Sequence, residues 1–91
     1  MPRYVIEREL GDISDEQLQG AAEASKRVRE QDFPAIDWEH SHIVRTDAGL
    51  KSFCVYEAPD PETIRDHAAS VGIPADRIHE IHTDIVPSEL P

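Results

Sequence analysis

The sequence predicts one α+β domain over residues 1–91, with its elements in the order βαββαβ. Three observations predict it. Four short stretches alternate apolar and polar residues, two intervening stretches carry apolar residues at helical spacing, and cap and turn residues separate the six. A chain of 91 residues has room for one small core and no second domain.

Each element has a local cause. "RYVIERE" alternates and holds β-branched and aromatic residues, giving a first strand over residues 3–9. "GDIS" breaks it. Ser14 then caps a helix, and Gln17 three residues later completes a capping box. The helix over residues 15–30 places Leu18, Ala21, Ala22, Ser25 and Val28 on one stripe. Glu16 near its start and Lys26, Arg27 and Arg29 near its end suit the helix dipole. Pro34 follows, and "IDWEHSHIVR" supplies the second strand. "TDAG" is turn chemistry, with Gly49 free to take a positive backbone angle, and "LKSFCVYEA" returns as the third strand of a hairpin. Asp60 caps a second helix, Pro61 takes its first position, and Gly72 with Pro74 closes it. "RIHEIHTDIV", residues 77–86, completes the set as a fourth strand.

This is the ferredoxin-like plan, an antiparallel sheet with two helices on one face. Two helices leave the other face uncovered. Trp38 and Tyr56 would be poor residues to leave wet there, so a homodimer, joined sheet to sheet or edge to edge, is expected.

Composition narrows the function. Nine basic residues against nineteen acidic ones give a formal charge of −10, which repels phosphate backbones and anionic lipid, so neither nucleic acid nor membrane is an expected partner. Cys54 is the single cysteine, so no intrachain disulfide forms and a reducing, cytoplasmic setting fits. The amino-terminal "MPRYVIEREL" lacks the apolar core of a signal peptide, and no apolar run is long enough to span a bilayer. There is no Gly-rich phosphate loop and no nucleophile elbow.

Five histidines stand out. His40 and His42, two apart in "DWEHSHIV", share one face of the second strand, and strict alternation puts Trp38 there too. Two imidazoles at that spacing can approach one ion from a rigid platform, although H-x-H lacks the full spacing of a zinc site. His67 falls on the sheet-facing stripe of the second helix with Ile64, Ala68 and Val71, either as a ligand or as a core residue bonded to a strand carbonyl. Cys54 lies mid-strand, a thiolate ligand or a small buried hydrophobe. Hairpin register decides which of these meet. A loop closing on Arg45 and Leu50 sets Ser41 opposite Cys54; one extra loop residue sets His42 opposite Cys54 and His40 opposite Tyr56. His79 and His82, three apart on a strand, point to opposite faces.

Five segments also occur in a telling order: "YVIEREL", "WEHS", "CVYEAPD", "IRDHA" and "GIPADRI". Together they resemble a family of small proteins, common in actinobacteria, whose named representative binds nickel. The resemblance covers nearly the whole chain. It implies a ferredoxin-like fold, a homodimer, and nickel held by histidine-containing sites near the dimer surface. Trp38, His40 and Ser41 match its W-x-H-S element, Cys54 and Tyr56 its cysteine–aromatic strand, and His67 its helix histidine. His42 departs from the pattern, standing where an aromatic residue is expected.

The expected function is therefore binding of a divalent transition metal, Ni2+ first, for sequestration or buffering, with His40, His42, Cys54 and His67 as candidate ligands. The rival is a cofactor-independent isomerase, cyclase or oxygenase of the dimeric α+β barrel type. There His40 or His67 acts as a base, with Glu7 as its partner and Tyr56 as a hydrogen-bond donor. A pocket beside His40 favours the enzyme, and histidines clustered at the surface favour metal.

Overall fold

The computed structural model describes residues 1–91 and contains β1 (Arg3–Gly11), α1 (Asp15–Asp32), β2 (Asp37–Thr46), β3 (Gly49–Glu57), α2 (Pro61–Val71) and β4 (Arg77–Glu80). A single 3₁₀ turn, Pro87–Glu89, follows. The four strands form one sheet in the order β2-β3-β1-β4, every neighbouring pair antiparallel. This is the expected ferredoxin-like architecture.

Local chemistry sets the helix ends as expected. The Ser14 hydroxyl accepts from the Gln17 N–H at 3.1 Å while the Gln17 side chain accepts from the Ser14 N–H at 2.8 Å, so the box is closed in both directions. Asp60 Oδ1 accepts from both the N–H and the hydroxyl of Thr63, and these bonds hold its carboxyl below the usual range. Gly72 ends α2 at φ +85°, where its N–H bonds the Ala68 carbonyl.

The helix-side face of the sheet carries the core. Tyr4 and Ile6 of β1, Cys54 and Tyr56 of β3, and Ile64 of α2 are all buried in one cluster, with Ile36 and Ala58 sealing its end. β1 alternates as its residues require: Tyr4, Ile6 and Arg8 are buried while the residues between them are partly exposed.

Two expectations need correction. β4 stops at Glu80 rather than continuing to residue 86. It pairs only with residues 4–7 of β1, and the Ile81 N–H reaches Arg3, where β1 begins. Beyond that point no strand remains to pair with, so His82 lies outside the sheet.

The second correction concerns the face of Trp38. The hairpin closes with Arg45 opposite Leu50 and Ser41 opposite Cys54, the shorter of the two expected registers. Continued unbroken, that register would face Glu39 to Tyr56. Instead a β-bulge between Trp38 and His40 leaves Glu39 unpaired and sets Trp38 opposite Tyr56. Trp38 thus lies on the helix side, where its Nε1–H donates to Ser41 Oγ at 2.9 Å. Residues three apart on a regular strand would point to opposite faces. With Trp38 and Tyr56 both on the helix side, neither gives a reason to cover the open face.

Candidate functional site

β2 presents His40 and His42 on the open face, opposite Val55 and Phe53 of β3. Their rings meet edge to face with centroids 5.1 Å apart, and both side chains are exposed. Beside them, Arg3 reaches across the sheet from β1 and grips Glu39 with two nitrogens, at 2.8 and 3.2 Å. This guanidinium holds the Glu39 carboxyl below its ordinary range. The bulge that leaves Glu39 without a strand partner is thus tied down by a side chain from β1, two strands away. Farther along the same face, Glu7 of β1 pairs with Arg77 at 3.4 Å and stands 3.8 Å from His79 Nε2. That histidine is on β4, at the opposite edge of the sheet from His40.

The other two candidate ligands lie on the helix side. Cys54 is 5 % exposed, and its Sγ stands 3.7 Å from Ser52 Oγ. His67 is fully buried on α2. Its Nε2–H donates to the Ser25 carbonyl of α1 at 3.0 Å, so its partner is a helix carbonyl rather than a strand carbonyl. Phe33 and Tyr56 pack edge-on against its ring, with centroids 5.5 and 6.1 Å away. Burial pushes its pKa down and keeps the imidazole neutral. The four candidate residues therefore divide into a surface pair, His40 with His42, and two buried residues behind the sheet. Nowhere does the chain bring three or more His, Cys, Asp or Glu side chains together in a metal-holding cluster.

A cavity of about 420 Å³ lies on the helix side, between α1 and the sheet. Small residues create it: Ala21, Ala22 and Ser25 of α1 face Ser41, Ser52 and Cys54 of the strands. Side chains this short cannot fill the space between a helix and a sheet. Arg8 and Tyr56 also line it, whereas His40, His67 and Glu7 do not. Composition and motif gave no sign of Arg8 as a site residue. Its phase did, because it continues the alternation of Tyr4 and Ile6 and so belongs on the buried face.

Comparison with known proteins agrees with this architecture. Residues 4–81 match the family described as nickel responsive protein SCO4226-like. The chain belongs to that family. Among solved structures, the fold is similar to that of SCO4226 from Streptomyces coelicolor A3(2), with a TM-score of 0.72 and 23% identity, covering 91% of this chain and 99% of that chain. No curated protein matches the chain. No helix of this family member is long and apolar enough to cross a membrane.

Proposed function

We propose that the chain binds a divalent transition metal, nickel first, through the imidazoles of His40 and His42, and serves to sequester or buffer it. One observation carries this reading: in a member of a nickel-responsive family, two exposed imidazoles stand 5.1 Å apart on a rigid strand. With metal–nitrogen bonds of about 2.0–2.1 Å, rings at that separation can turn toward one ion. Imidazole is a borderline ligand suited to nickel, copper and zinc, and copper should compete well with nickel.

A pair supplies only part of a coordination sphere. Water or a second copy of the chain would complete it. Val5 and Phe53 are partly exposed apolar residues on the same open face, beside the buried Val55, which suits a homodimer formed there. Cys54 and His67 lie behind the sheet and would not share an ion with the pair.

The test is nickel titration by calorimetry of protein without a histidine tag, together with elemental analysis. The double variant His40→Ala, His42→Ala should lose nickel affinity by more than about tenfold, because imidazoles supply the bonds. Cys54→Ser should leave it unchanged. Equal affinity in the folded double variant would overturn this reading. Sedimentation with and without metal tests the dimer, and a monomer under both conditions would remove it.

The enzyme reading finds less support. It requires a histidine base beside a pocket, yet His40 faces away from the cavity and His67 is packed outside its wall.

A further inference from the structure

We propose that the cavity between α1 and the sheet binds a small amphipathic monocarboxylate, whose head pairs with Arg8 and Tyr56 and whose body lies against the apolar wall. This site is separate from the metal site and does not depend on it.

Arg8 is the leading observation. The residue is 97 % removed from solvent, on a wall made mostly of apolar and small residues. A guanidinium stays charged at any physiological pH, and an isolated buried charge is costly unless something offsets it. The chain supplies no carboxylate for it: none of the ion pairs in the molecule includes Arg8. What it has are two neutral acceptors, the Pro74 carbonyl at 2.7 Å and the Tyr56 hydroxyl at 3.1 Å, and the face of the Tyr56 ring with its centroid 5.7 Å away. A guanidinium carries five N–H donors in a planar fork that matches a carboxylate. Two are used here, and the group lines an open cavity.

Its neighbours add to the match. Tyr56 accepts from Arg8 and has the Ser25 hydroxyl beside it, so two hydroxyls stand together at the cavity wall. Ser25 Oγ, in a residue only 4 % exposed, also lines the cavity and makes no hydrogen bond. Buried polar atoms in native proteins ordinarily have partners, and a ligand would supply one.

The remaining wall selects the rest of the molecule. Leu10, Leu18, Trp38 and Ile73 offer apolar contact to a hydrocarbon or aromatic body. The volume lies within the range of about 300–1,000 Å³ usual for small-molecule sites. Asp15 lines the cavity as well, and the chain carries a formal charge of −10, so a second negative charge on the ligand would be repelled. A single carboxylate fits; a phosphate ester or dicarboxylate does not.

Trp38 is the only tryptophan and lines the cavity, so its fluorescence reports occupancy directly. The experiment titrates metal-free protein with 3-phenylpropionate and octanoate, with 3-phenylpropanamide as the neutral isostere, and confirms stoichiometry by calorimetry. At least one acid should bind saturably, one molecule per chain, and the amide should bind about tenfold or more weakly than its acid, as loss of a charge-assisted pair requires. Ala22→Leu should fill the cavity and abolish binding, while Arg8→Gln should bring acid and amide to equal affinity. If Arg8→Gln does not fold, the amide comparison and Ala22→Leu decide the matter without it. Absence of saturable binding by both acids, equal binding of acid and amide to the unaltered protein, or undiminished binding in folded Ala22→Leu would each overturn the proposal.

Discussion

The two faces of the sheet use the same strands for opposite ends. On the helix side, Tyr4, Ile6, Cys54 and Tyr56 are buried beneath the helices, where Arg8 bonds the Tyr56 hydroxyl and His67 bonds the Ser25 carbonyl. On the open side, alternate residues of the same strands present His40, His42, Glu7 and Glu9, with ion pairs to Arg77 and Lys51. Histidine shows the difference most clearly. His67 is fully buried and is kept neutral by desolvation, whereas the rings of His40 and His42 remain open to solvent and to an ion. Stability therefore belongs to one face, and the other carries the exposed imidazoles and ion pairs.

Substitutions that respect this division should separate the two properties. The largest stability effect is expected from Ile64→Ala. Ile64 is fully buried in the core cluster, and truncating it should cost about 2–5 kcal/mol, read by urea unfolding. Nickel affinity of the folded fraction should be unchanged; a parallel loss would show that the faces are coupled.

Gly49→Ala comes next. Gly49 has φ +108°, and a Cβ there would stand 2.5 Å from the carbonyl carbon of Gly11. Both the backbone angle and the collision oppose a side chain, so a loss above about 1 kcal/mol is expected from thermal unfolding. An unaltered melting temperature would mean that the β3–β1 junction yields at little cost.

His67 gives a smaller effect that depends on pH. Its folded pKa lies below the unfolded value, so in acid the unfolded chain binds the extra proton first. Stability should fall as pH drops through roughly 6.5, the unfolded imidazole value, and continue falling toward the folded value. His67→Phe keeps a ring between Phe33 and Tyr56 and should flatten that part of the stability–pH curve. An identical slope in the variant would assign the acid sensitivity elsewhere.

The smallest effect on folding should come from the surface pair. His40→Ala and His42→Ala remove exposed rings, and each should shift stability by less than about 0.5 kcal/mol in metal-free protein. A much larger loss would indicate a structural role for the pair and would undermine the division between the faces.

The sequence by itself determined whatever depends on neighbours in the chain. Ser14 with Gln17, Asp60 with Pro61, and Gly72 bracket the two helices because caps act over a single turn. Alternation located the strands and placed His40 with His42 on one face, since a strand's side chains repeat every second residue. The i, i+3, i+4 spacing put His67 on the buried side of α2 for a similar reason. Tertiary structure decided whatever depends on a partner distant in sequence. The hairpin register had two readings until β3 paired with β2. The bulge at Glu39 turned Trp38 away from the histidines, and its Arg3 clamp lies 36 positions back in the chain. β4 ended where β1 ran out of residues to pair with it. The Arg8 cavity exists only because short side chains on α1 meet short side chains on β2 and β3 across the core. Each of those segments carries a local pattern, but the space between them belongs to none of them alone.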